Sequence, residues 1–236
     1  MKLNAAQHEK NIRLTRGFLA GSEEAAAAGL RDGNPDLVFF NLRGVVTHQL
    51  ELALYHWRVG DNPTSFLEGA VAAAARAVEA HQAHPEWVGL NEVNFTLVRY
   101  LTFLLGEEDR FAPYVGPLDA PDLLLDYGLV ERLYDKRPAE QTFVVLEKVE
   151  EVKRLALLAK TYRTYFAILA AAPDAVPALV EEAERNYAER KRDGFYAGGA
   201  EYTGGGPANP HVVDFVLGAV LKKAGYEGPS IHRYAW

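Results

Sequence analysis

The chain has 236 residues, of which 49% are hydrophobic and 24% charged, with no cysteine and a formal net charge of −7. That composition suits a globular chain with one large core. It excludes disulfides, thiolate metal sites and a cysteine nucleophile, and the acidic balance argues against a dedicated nucleic-acid binder. Nothing in the sequence reaches about 18 consecutive apolar residues, so no membrane span is expected. The first residues, MKLNAAQHEKNIRL, carry no apolar signal region, so a cytoplasmic location is expected.

Nearly every segment reads as helix. A polar-rich helix is predicted over 5–19, and Ser22 is placed to cap a short alanine-rich turn over 23–30. Residues 1–33 read as a peripheral N-terminal segment. Asn34-Pro35 then gives a cap-plus-proline start. The helix predicted over 36–59 puts Val38, Leu42, Val45, Val46, Leu50 and Trp57 on one broad face and Asn41, Arg43, Thr47, His48, Glu51 and Arg58 on the other. His56 falls inside the apolar arc and reads as a core histidine bonded to a neighbour. Helices follow over 63–82, 87–105 and 120–134. Residues 106–110, Gly-Glu-Glu-Asp-Arg, form an acidic turn between the last two.

Residues 139–171 contain neither proline nor glycine. As one straight helix they would run about 50 Å, as long as a compact chain of this size is wide, so a break near 147–151 is expected. The helix over 176–193 is acidic early and basic late, which complements its dipole. A glycine-dense aromatic stretch over 195–208 leads to a strongly apolar last helix, with Asn209 as its cap, Pro210 at its first position and Gly225 as its stop. Gly204–Gly206 lack the flanking strand and Lys-Ser/Thr of a phosphate loop, so the stretch reads as a connection. The expected architecture is a single-domain, all-α, multi-helix bundle over 1–236, whose antiparallel helix pairs can stack in a repeat-like way.

No constellation compels chemistry. His48 and Glu51 share a helix face, yet no Glu-x-x-His accompanies them, so no metal or other cofactor is expected. Asn41, His48, Glu51 and Arg58 nevertheless define an alternative reading, a helical enzyme with a polar cleft. His211 and Asp214 lie one turn apart without a nucleophile, which favours a local hydrogen bond. A third reading is a helical scaffold or adaptor.

Three places carry a resemblance. They are Leu54-Tyr55-His56-Trp57-Arg58-Val59-Gly60-Asp61-Asn62-Pro63, Leu104-Leu105-Gly106 with its acidic turn, and the apolar helix closing at Ala224-Gly225 before the tail Ile231-His232-Arg233-Tyr234-Ala235-Trp236. In this pattern, over roughly 36–236, the chain resembles the α-helical immunity proteins of bacterial polymorphic-toxin and type VI secretion systems, in particular the PoNi-like group that protects against PoNe-type DNase toxins. Where that family's last helix starts aromatic-Phe-Glu-Ala, this chain has Asp214-Phe215-Val216-Leu217-Gly218. The resemblance implies no catalysis. It implies a cytoplasmic protein that binds and neutralises a cognate toxin in the producing cell. A basic toxin would be met by Glu107, Glu108, Asp109, Asp119 and Asp122, with Tyr196 and Tyr202 as aromatic anchors.

Overall fold

In a computed structural model, residues 5–114, 121–136, 140–151, 156–192 and 214–233 are described. Their long elements are helices: α1 Ala5–Asp32, α2 Pro35–Arg58, α3 Thr64–Ala83, α4 Phe95–Leu105, α5 Pro121–Leu133, α6 Glu140–Glu151, α7 Ala156–Ala170, α8 Val176–Arg192 and α9 Phe215–Lys223. Short 3₁₀ turns lie at Leu90–Glu92 and Ala112–Tyr114. The fold is all-α, as the sequence pattern predicts, and the described residues contain no strand.

Capping explains most boundaries. The Asn34 side chain accepts the Leu37 N–H at 3.2 Å and starts α2, with Pro35 in the first turn. Pro63 is the N-cap residue of α3 and offers no side-chain cap; Asn62, just before it, accepts the Thr64 N–H at 2.9 Å and turns the chain into the helix. Asn94 accepts the Leu97 N–H at 2.9 Å, so α4 begins at Phe95 rather than at the predicted residue 87. The intervening chain, with Gly89 at φ +108°, folds as a 3₁₀ turn against Phe39. Ser22 does not interrupt α1. It lies beneath Gly44 of α2, where a Cβ would meet its hydroxyl at 2.9 Å, and contact with α2 carries the helix through.

The break predicted near 147–151 corresponds to the end of α6 at Glu151 and the start of α7 at Ala156. The Phe143 and Phe166 rings have centroids 5.6 Å apart. Along one straight helix they would be about 34 Å apart. The two helices therefore fold back on one another.

From α1 to α8 each helix packs on its predecessor. The last described helix departs from that order. α9 returns to α4, α5 and α7, and its residues Phe215–Leu221 are all buried. An apolar surface on every side suits a helix with no solvent face. Its start differs from the predicted one: Asp214 is extended and caps a helix beginning at Phe215, while Asn209 and Pro210 lie outside the described residues. One apolar cluster joins Ala26 of α1 to Leu221 of α9. No described helix is long and apolar enough to cross a membrane.

Candidate functional site

Two clusters of charged side chains lie inside this helical body, and each sits at a reversal of the chain. The first centres on Arg99. Helix α4 is apolar on nearly every side, so an arginine at its fifth position is carried inward with its neighbours. Its side chain is fully buried. Nε and Nη2 donate to the two carboxylate oxygens of Asp109 at 2.8 and 2.7 Å, and Nη2 also donates to Glu131 of α5 at 2.5 Å. Lys136 adds a second cation to Asp109 at 2.6 Å. Burial works against ionisation of Asp109, but the hydrogen bonds and charges of Arg99 and Lys136 outweigh it, so its carboxyl is held below its usual range. Tyr134 completes the cluster by bonding Thr102 at 2.7 Å, and burial lifts its phenol to about 12.

This cluster fixes the acidic turn. Gly106 takes φ +79° at the end of α4, and the Glu107 N–H donates to the Thr102 carbonyl at 2.8 Å. Lys222 of α9 caps the same helix end by donating to the Leu104 carbonyl at 2.5 Å. Of the three acidic residues predicted here, Asp109 is turned inward, with only 6% of its side chain exposed. Its carboxylate is therefore committed to Arg99 and Lys136 and is not offered to a partner. Glu107 is partly exposed beside Arg110 at 3.3 Å, and Glu108 is exposed.

The second cluster centres on Asp214. One carboxylate oxygen accepts the N–H groups of Val216 and Leu217 at 2.9 and 3.1 Å, which is the N-cap of α9. The other accepts the Tyr165 hydroxyl of α7 at 2.7 Å and pairs with the Arg190 guanidinium of α8. These four bonds fill the acceptor capacity of the group. The Asp214 N–H donates to His232 Nδ1 at 3.0 Å, so that nitrogen is the unprotonated one. The buried His232 ring meets Tyr187 edge-on at 4.5 Å. Burial again opposes ionisation of Asp214, but the charge of Arg190, with the hydrogen bonds the carboxylate accepts, outweighs it and holds the carboxyl low. Burial and the nearby Asp214 charge push the Tyr165 phenol well above its ordinary value.

A line of tyrosines connects the two clusters. Tyr100, next to Arg99, donates to Asp126 at 3.1 Å. Tyr162 bonds the same carboxylate, and its ring lies 5.9 Å from that of Tyr165. α4, α5, α7, α8 and α9 are thus tied through their polar centres as well as their apolar faces.

The consequence for segment 193–213 is geometric. Arg190 precedes it and Asp214 follows it, and the two are bonded. The described residues on either side of the segment are therefore held together at one point of the body. Tyr196, Tyr202 and His211 lie in this segment, outside the described residues, as does Asp119. Asp122 lies in α5, where its side chain is not described.

Of the alternative polar cleft, the described side chains bring His48 and Glu51 together but not Asn41, and the side chain of Arg58 is not described. His48 Nδ1 is 3.4 Å from Glu51, which also accepts from Thr15 at 3.4 Å, and Phe18 stacks on the His48 ring at 5.7 Å. Asn41 donates to its own helix at the Leu37 carbonyl, 2.7 Å away. His56 bonds Asp61 at 3.0 Å, as a half-buried neighbour-bonded histidine. Among the described residues no group of three or more potential ligands could hold a metal.

Sequence pattern did not reveal Arg99 or Arg190 as interior groups. A signal for Arg99 exists: an arginine inside the run FTLVRYLTFLL needs buried carboxylates, and Asp109 follows the run by four residues. Compared with known proteins, the chain matches no protein-family model, no curated protein and no solved structure.

Proposed function

We propose that this chain is an immunity protein. It would bind a cognate bacterial toxin, such as a nuclease effector, and neutralise it by tight association in the producing cell. The observation that carries the reading is the Arg190–Asp214 pair, which holds both ends of segment 193–213 on one buried base. Ordering the stems before a partner arrives lowers the entropy lost on binding. The second support is the acidic turn, where the Arg99 cluster fixes the backbone and leaves Glu108 at the surface. A net charge of −7 suits a basic partner, because complementary fields speed encounter. The pattern resemblance to helical immunity proteins supplies the class of partner. In this reading Tyr196 and Tyr202 are anchors, and Glu107 and Glu108 steer.

Co-expression tests it. The full chain is produced in cells carrying the toxin domain encoded beside it, and survival is scored together with co-purification. Rescue with a stoichiometric complex is expected. Replacing both Tyr196 and Tyr202 by alanine should weaken the complex by about 2 kcal/mol or more if they are anchors. Unchanged affinity in that double variant would remove the segment from the interface, and growth arrest without any complex would remove the function.

A further inference from the structure

The glycines inside the two helices of the first hairpin fall into two kinds. Gly29 and Gly44 are there for packing within the chain. A Cβ at Gly29 would lie 2.9 Å from Leu37, and one at Gly44 would lie 2.9 Å from Ser22. Gly17 and Gly21 are different. Both lie inside α1, both are exposed, and a Cβ at either would meet nothing within 4 Å. Glycine inside a helix is unfavourable relative to alanine, so two of them one turn apart weaken α1 without any return in internal packing.

Their surroundings are apolar. Leu14 and Phe18 share this side of α1, and they are 47% and 60% exposed. Lys10, Leu14, Gly17, Gly21 and Glu24 follow one another at four- and three-residue steps and form a single stripe. Lys10 and Glu24 are exposed, and neither has an ionic partner among the described residues. The stripe is self-complementary under a two-fold rotation about Gly17. If two copies of α1 cross antiparallel there, Lys10 of each faces Glu24 of the other, Leu14 lies level with Ala20 and beside Gly21, and Gly17 faces its own mate. Phe18 borders the seam. Opposite charges at the two ends of one stripe suit a second copy of this chain, since the same arrangement serves both subunits.

We propose that α1 is a homodimer interface, with two chains crossing antiparallel at Gly17. The glycines let the helix axes approach closely, Leu14 and Phe18 fill the space beside them, and Lys10 and Glu24 fix the register. From Lys10 to Glu24 the contact spans about 21 Å of helix. That is small for a specific interface, so a dissociation constant on the order of micromolar to tens of micromolar is expected.

The test is sedimentation of the full chain over a wide concentration range, together with four variants. Gly17→Leu should fold at least as well as the parent, because the site is open and leucine favours helix. It should also weaken association about a hundredfold by blocking the crossing. A residue with only a structural role would raise thermal stability and leave association unchanged. Lys10→Glu and Glu24→Lys should each weaken the dimer by about tenfold, and the double exchange should restore it. Because the chain has no cysteine, Gly17→Cys gives an unambiguous cross-link, and a disulfide-linked dimer is expected under mild oxidation. A parent that stays monomeric at several hundred micromolar overturns the proposal. So does a dimer indifferent to Gly17→Leu. Loss of a toxin complex in Gly17→Leu, with the parent monomeric, would make the stripe a partner's seat and would equally overturn the second copy.

Discussion

The helices α1–α3 and the helices around α9 are held together differently. In the first region the buried surface is almost wholly small and aliphatic: Ala26, Val38, Leu42, Val45, Ala70, Ala73, Ala74 and Ala77 pack with their polar neighbours turned outward. In the second, Arg99, Asp126, Glu131, Asn186, Asp214 and His232 are buried among leucines and tyrosines. Apolar packing depends on volume and tolerates many sequences of the right size. A buried ion cluster depends on each member, because removing one leaves the others charged and unsatisfied. The two regions should therefore respond differently to substitution.

The largest effect is expected at Arg99. Arg99→Ala strands Asp109 and Glu131 and should destabilise the fold by about 3–5 kcal/mol in urea unfolding. Replacing Arg99, Asp109 and Glu131 together by methionine and two leucines should recover most of that loss, since a buried ion pair is rarely better than an apolar substitute. If the triple variant is as unstable as the single one, the cluster contributes more than mutual neutralisation.

Asp214→Ala removes a helix cap and the partner of Arg190, and about 2–4 kcal/mol is expected. Both clusters predict a pH dependence. Asp109 and Asp214 both have carboxyls held below the ordinary range. Their stabilisation is therefore complete above the unfolded carboxylate value of about 4 and is lost as the pH falls through their lower folded values. The urea midpoint should hold from neutral pH to about pH 5 and then fall, less steeply in Asp109→Asn. A midpoint that fell between pH 8 and 6 would implicate other groups.

In the apolar region, Ala74→Leu should cost about 1–3 kcal/mol by overpacking, with no change in the pH profile. The smallest stability effect belongs to Glu108→Lys. It should change unfolding by less than about 0.5 kcal/mol while slowing association with a basic toxin, as read by stopped-flow mixing at two salt concentrations.

How much of this could be read in the sequence follows the same division. The face of α2 and the cap at Asn34 are local properties, and local spacing revealed them; the break between α6 and α7 followed from the length of the uninterrupted run against the width of the chain. The run 87–94 was misread as helix because its apolar residues keep helical spacing, while Asn94 and Gly89 decide the outcome. The clusters were not legible, because their members lie far apart: Tyr165 and Asp214 are 49 positions apart, and Arg99 and Glu131 are 32 apart. Periodicity assigns a residue to a face but cannot say which distant group meets it there. Asp109 illustrates the limit, since as a residue of an acidic turn it has the pattern of a surface group.

The return of α9 across the body has a kinetic consequence. Lys222 reaches the Leu104 carbonyl across 118 positions, whereas α1, α2 and α3 pack chiefly on the helices next to them in sequence. Contacts that close small loops form early, and those that close large ones form late. During synthesis the first three helices can pair as they emerge. The seat formed by α4, α5 and α7 stays open until residues 215–221 leave the ribosome. Over that interval its leucines and tyrosines face solvent, which makes the nascent chain most prone to aggregate before α9 has emerged.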